Sequence, residues 1–225
     1  MANLVNLDNV SQAFGTRILL DGVSLGLAAG EVVGVVGRNG DGKTTLLRIL
    51  TQDLEPDAGQ VTVSNSASIG VLTQHQGGDP EQSIRDLVLG GAADHVYASE
   101  ANRRVIVEAL LAGVDLDRPL ATLSGGERRR VGLVEVLLGD HDLIVLDEPT
   151  NHLDVEAIAF LAEHLQARTR AGLAMLVVSH DRWFLDTVCT RIWEVHDGFV
   201  DAYDGGYAAY VLARVERQRQ ATATE

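Results

Sequence analysis

The sequence predicts an α/β fold: a mixed or parallel core sheet covered by helices, joined by an antiparallel β meander and a helical subdomain. Three observations point to it. Short, nearly continuous apolar runs recur as EVVGVV (31–36), LIVLD (143–147) and AMLVVS (174–179), as expected of strands buried on both faces. Segments with helical spacing flank each run, the alternation that builds a parallel sheet. A glycine-rich stretch, GRNGDGKTT (37–45), follows the first run directly.

Taken in order, residues 3–27 and VTVSNSASIGVL (61–72) alternate as a β meander does. After the 31–36 strand, KTTLLRILTQ has helical spacing, with Leu46, Leu47 and Leu50 on one side. Residues 82–112 carry amphipathic helix signals that begin at the Ser83…Asp86 capping spacing. A helix RRRVGLVEVLL follows LSGGE (123–127), and VEAIAFLAEHL follows Asp154. RIWEVHDGFVDAY (191–203) reads as a strand pair turning at Asp197-Gly198. From residue 205, GGYAAYVLARVERQRQ is helical with a basic end at Arg214, Arg217 and Arg219. These assignments divide the chain into a body over 1–204, with its helical subdomain at about 75–140, and the start of a linker helix over 205–225. ATATE ends the sequence with neither a helix cap nor a closing strand, so we expect the natural protein to continue.

Composition narrows the function. The 225 residues are 46% hydrophobic, enough for a sizeable core. A net charge of −14 argues against the body gripping DNA or RNA, because neutralising phosphates takes Lys and Arg. The single cysteine, Cys189, suits a reducing compartment. There is no signal-peptide pattern and no run near the roughly 20 apolar residues of a membrane span. A cytoplasmic location is the expectation.

The glycine-rich stretch satisfies G-x-x-x-x-G-K-[ST] at Gly37, Gly42, Lys43 and Thr44. Glycines allow a tight loop whose N–H groups converge on an anion, and the helix starting near Gly42 adds the positive end of its dipole. Lys43 can reach the outer phosphates and the Thr44 hydroxyl can ligate Mg²⁺. Asp41 is out of place beside a triphosphate unless it faces solvent.

Three later features narrow the chemistry. Asp147 and Glu148 end a buried strand; one can hold a Mg²⁺ shell and the other can polarise a water, although strand ends often carry acids for no catalytic reason. Ser124 and Glu127 make a capping box, yet two glycines in a first helical turn cost about 1 kcal/mol each in propensity. They have a purpose if a phosphate must approach that helix end. His180 follows the strand LVVS, where a side chain can enter a ligand crevice or merely finish the strand.

In this order, GRNGDGKT, LSGGE, LIVLDEPTNHLD and SHD resemble the ATP-binding cassette (ABC) ATPases, from about Leu4 to about Tyr210. The resemblance implies a P-loop NTPase of ABC type that uses ATP and Mg²⁺. It places Gly37, Arg38, Asn39, Gly40, Asp41, Gly42, Lys43, Thr44 and Thr45 around the nucleotide and makes Glu148, His180, Lys43 and Gln74 the catalytic set. Thr44, Gln74 and Asp147 would serve the metal. Phe14 would stack on adenine, with a core position as its rival. Asp154 would be an acid communicating between two halves, with helix capping as its rival. Ser124 and Gly126 would close over ATP held by a second cassette, in tandem or in a homodimer, so that ATP joins the two. No N-K-x-D guanine-reading sequence appears, which favours ATP over GTP.

EPTNHLD, SHDRWFLD and GGYAAY with its Arg-rich tail resemble the ABC-F subgroup, whose members lack membrane domains and commonly act on ribosomes; Trp183 departs from its usual Tyr or Phe. Arg128, Arg129 and Arg130 could touch RNA, but a solvated, salt-bridged helix face is the default reading. The ABC-F pattern has two cassettes, so this chain looks like the N-terminal one, with ribosome contact supplied by the missing part. The competing readings are the ATPase subunit of a membrane transporter and a module that holds ATP without turnover.

Overall fold

The computed structural model describes residues 3–72, 79–90 and 101–223, and the three apolar runs lie side by side in it. They become β3 (Val32–Gly37), β6 (Leu143–Asp147) and β7 (Ala174–Val178) of a six-stranded sheet. Its other members are β5 (Ile69–Leu72), β8 (Arg191–His196) and β9 (Phe199–Asp204), in the order β5-β6-β7-β3-β8-β9. All neighbours run parallel except β8 and β9, which turn at Asp197-Gly198 with both φ angles positive, the geometry of a type I′ hairpin. A second sheet, in the order β2-β1-β4, is antiparallel and comprises β1 (Asn3–Phe14), β2 (Arg17–Ala28) and β4 (Ala58–Val63).

Strand alternation explains the two cores. Val33, Val35, Val145, Leu176 and Val178 point to one side, where they meet Leu46, Ile49 and Leu50 of α1 (Lys43–Leu50) and Val5, Leu7 and Leu20 of the antiparallel sheet. Val32, Val36, Ile144, Leu146 and Val177 point to the other. There they pack on α2 (Ile84–Leu89), α3 (Ala101–Leu110), α4 (Gly125–Leu138), α5 (Val155–Arg170) and α6 (Arg182–Val188). Since both side-chain rows are apolar, the central strands cannot tell one face from the other by polarity. That is why they read as unbroken runs in the sequence.

The expected meander is only partly formed. Residues 61–72 split between the sheets: β4 pairs with β1, whereas β5 joins the central sheet parallel to β6. The break falls at 64–68, where Ser68 N–H donates to the Asp142 carboxylate at 2.8 Å and the Asp142 N–H returns a bond to Ser68 O at 2.9 Å. Gly70 faces the His141 ring so closely that a Cβ would collide with it. These partners lie some 70 residues away, outside the reach of a local pattern.

The segment expected as helical, about 75–140, includes α2, α3, a 3₁₀ turn at Leu120–Thr122 and α4. At the C-terminus α7 (Tyr207–Ala223) is fastened to the body. Asp186 of α6 accepts from Ala208 N–H at 2.8 Å, and buried Glu194 of β8 accepts from the Tyr210 hydroxyl at 2.8 Å and the Tyr203 hydroxyl at 3.2 Å. No helix among the described residues is long and apolar enough to cross a membrane.

Candidate functional site

The site begins where β3 ends. Gly37 lies opposite Val195, and a Cβ on Gly37 would strike the Val195 carbonyl oxygen. Gly42 has φ 105°, and its Cβ would sit 3.2 Å from Leu19 O. Together they let the loop pass between β8 and β2 with its backbone pressed close to both. Gly42 is also the N-cap of α1 and offers it no side-chain acceptor. The first-turn N–H groups of α1 therefore lack the side-chain cap that most helix starts carry.

Lys43 folds over this loop, its Nζ donating to Gly37 O at 2.9 Å and Arg38 O at 3.0 Å. Asp41 does not face solvent: its carboxylate turns back, accepts from Arg38 N–H at 2.8 Å and lies 4.0 Å from the Arg17 guanidinium. Its charge is thereby engaged inside the loop and by Arg17, which relieves the repulsion expected from the sequence.

The ends of β6 and β7 form the facing wall. The loop, Leu19, Asp147, Glu148, Val178 and His180 enclose a cleft of about 400 Å³. Glu148 has φ 52° and donates its N–H to Val178 O at 2.7 Å. Its carboxylate meets His180 twice, at the backbone N–H (3.2 Å) and at Nε2 (3.3 Å). The buried hydroxyls of Thr150 and Ser179 join the two strand-end loops at 3.2 Å. Burial pushes the Asp147 carboxyl above the usual range, opposed by Arg129 and Lys43. Burial raises Glu148 too, and adjacent Asp147 adds to the rise while His180 and Lys43 hold it back. Two acids facing a lysine and a helix start can hold a polyanion with its cation.

The LSGGE segment lies elsewhere. Ser124 caps α4: its Oγ accepts from Glu127 N–H at 3.2 Å, and Ser124 N–H donates back to Glu127 at 2.8 Å. Those bonds, led by the Ser124 N–H and joined by Arg118, draw the Glu127 carboxyl down to about 2. Ser124 is exposed, a Cβ on Gly125 would meet nothing, and Gly126 faces the His152 ring. Neither Ser124 nor Gly126 lines the chain's own cleft.

Of the remaining candidates, Phe14 is 53% exposed, which removes the core position as its explanation. It pairs with Arg17 across the β1–β2 turn, and Arg17 in turn lies beside Gly40 and Asp41. Asp154 caps α5 by accepting from Ala157 N–H at 2.8 Å while remaining exposed. Gln74 lies outside the described residues. Of the solvated, salt-bridged face expected for the three arginines of α4, Arg128 is exposed, but none of the three makes an ion pair among the described residues. Each instead donates to a backbone carbonyl, Arg128 to Leu120, Arg129 to Glu148 and Arg130 to Leu110. Leu19 and Arg17 also belong to the site, although no motif marks them.

A nucleotide with Mg²⁺ fits these residues. The N–H groups at the start of α1 and the Lys43 ammonium suit phosphates. Among the described residues no cluster of three or more His, Cys, Asp or Glu could hold a metal alone. Mg²⁺ favours few protein ligands completed by substrate phosphates and water, and Thr44 and Asp147 both line the cleft.

A family model described as "ABC transporter" matches residues 20–151. The energy-dependent translational throttle protein EttA of Mycobacterium tuberculosis is 32% identical over 250 residues, covering 95% of this chain and 44% of the relative. The tylosin resistance ATP-binding protein TlrC of Streptomyces fradiae is 32% identical, covering 96% of this chain and 46% of TlrC. EttA of Escherichia coli K12 is 34% identical, covering 92% and 38%. The chain thus spans less than half the length of these relatives. A solved ATP-binding subunit of an ABC transporter superposes with TM-score 0.76 at 21% identity, covering 89% of this chain and 90% of that one. A dimeric ATP-binding cassette in a post-hydrolysis state, bound to ADP and Pi, gives TM-score 0.73 at 24% identity, covering 89% and 98%. These two likenesses concern the fold.

Proposed function

The chain belongs to the ABC transporter family, and from that premise we propose that it binds and hydrolyses MgATP so as to associate head to tail with a second cassette. One observation carries the reading. Lys43, Asp147, Glu148 and His180 share a single cleft, whereas Ser124 and Gly126 stand at an exposed helix start outside it. A chain that bears two such half-sites on separate surfaces is completed by a partner arranged the same way.

In this reading the phosphates take the N–H groups at the start of α1, and Lys43 exchanges its loop carbonyls for phosphate oxygens. Thr44 and Asp147 would hold Mg²⁺, which when bound would neutralise charge on the phosphates. Glu148 orients the attacking water, and His180, hydrogen-bonded to Glu148, reaches the γ-phosphate. Phe14 stacks on adenine, and Gln74 senses metal and water. The Ser124–Gly126 end of α4 caps the γ-phosphate held by the partner, as a helix N-terminus can. Asp154 faces the partner as well as capping α5.

We favour an ABC-F role on the ribosome over a transporter ATPase. EPTNHLD and SHDRWFLD support it, as do relatives named for translational throttling and for resistance to tylosin. A cytoplasmic location accords with this role, and residues 205–225 then begin the linker to the second cassette. Two assays test the proposal. Phosphate release should require Mg²⁺ and disappear in Lys43→Ala together with nucleotide binding; binding that survives the substitution means the loop is misassigned. Cosedimentation with ribosomes rather than copurification with a membrane permease is the expected partner result, and the reverse outcome selects the transporter.

A further inference from the structure

Arg129 of α4 reaches across to the catalytic wall. Its Nε donates to the Glu148 carbonyl oxygen at 3.4 Å, and its Nη2 is buried without a hydrogen-bond partner among the described residues. A buried guanidinium with a spare donor is a costly arrangement, so the site has reason to retain it only if that donor finds a use.

The turn it touches is under strain. Glu148 (φ 52°) and His152 (φ 66°) both occupy the left-handed region, which side-chain-bearing residues adopt at a cost. Such a turn persists only when its surroundings hold it. Within the turn, Asn151 N–H donates to Glu148 O at 3.3 Å, so Arg129 and Asn151 share one acceptor. From α4 there are two braces, Gly126 against the His152 ring and Arg129 on Glu148. Gly126 and Arg129 are three residues apart, on one side of the helix. The end of α4 that faces outward and the turn that carries Glu148 are therefore in direct contact.

We infer that Arg129 is a positioning residue for Glu148, through which a partner docked on the Ser124–Gly126 end of α4 adjusts the hydrolytic carboxylate in this chain's own cleft. The inference rests on the proposed roles of Glu148 and Ser124. Arg129 acts through the Glu148 backbone and does not line the cleft, so its loss should slow turnover and leave nucleotide binding intact.

The test compares Arg129→Gln, Arg129→Lys and Glu148→Gln with the parent chain. In Arg129→Gln we expect kcat to fall about 10- to 100-fold, as misplacement of a catalytic group does, with MgATP affinity and Tm unchanged; Arg129→Lys should fall between the two. Amide exchange at Asn151 should quicken in Arg129→Gln while exchange along the rest of α4 stays the same, a readout that serves even where turnover is slow. Parental kcat and parental Asn151 exchange in Arg129→Gln would overturn the inference, as would a parallel loss of affinity and Tm. Should Glu148→Gln hydrolyse at the parental rate, the role of Glu148 itself is wrong. Should Glu148→Gln alone lose turnover, only the role of Arg129 is.

Discussion

Lys43 has two competing sets of acceptors. In the chain by itself it is spent on the Gly37 and Arg38 carbonyls, so in the proposed reading a phosphate replaces neutral acceptors with an anionic one and adds ion–ion attraction to bonds that already have a charged donor. The sequence motifs singled out Lys43, Thr44, Asp147 and Glu148, and the fold brings all four to one cleft. Asp41 was less legible, because its turn back onto Arg38 N–H and toward Arg17 depends on a hairpin that no motif encodes. Phe14 shows what burial adds: its sequence context left stacking and core packing open, and 53% exposure leaves no packing role to lose. Phe14→Ala should therefore weaken ATP binding by about 1–3 kcal/mol, the range for a base stacked on an aromatic ring, without lowering Tm. A fall in Tm with unchanged affinity would return Phe14 to a packing role.

The start of α4 combines a capping box with an exposed double glycine, and its chemistry is pH-sensitive. Glu127 is drawn from 4.5 down to about 2 by the Ser124 N–H and hydroxyl and by Arg118. Its folded value is depressed, so the stabilisation is present above about 4.5 and is lost as pH falls toward about 2. Unfolding followed across that window should show an acid limb that Glu127→Gln flattens; an identical limb in both proteins would exclude Glu127 as its source. Elements whose pattern is local were readable in advance: the central strands, the Asp197-Gly198 hairpin, and the caps at Ser83, Ser124 and Asp154. Those decided by distant partners were not. β5 was drawn into the central sheet by Asp142 and His141, and the arginines of α4 found carbonyls at Leu120, Glu148 and Leu110.

Viewed entire, the chain presents a cleft lined by Lys43, Asp147, Glu148 and His180 and, outside that cleft, the exposed start of α4; in the proposed reading the first holds phosphates and the second caps a partner's. Association through ATP then follows mass action: it requires enough protein, bound MgATP and blocked hydrolysis. Glu148→Gln keeps Lys43, Thr44 and Asp147 while removing the group proposed to orient water, so it should hold ATP without consuming it. Sedimentation of Glu148→Gln with and without MgATP, over a series of protein concentrations, decides the matter. The account predicts a dimer that appears only with MgATP and disappears in Ser124→Arg, whose bulk obstructs the exposed helix start. A protein that binds MgATP yet sediments as a monomer at every concentration would contradict it.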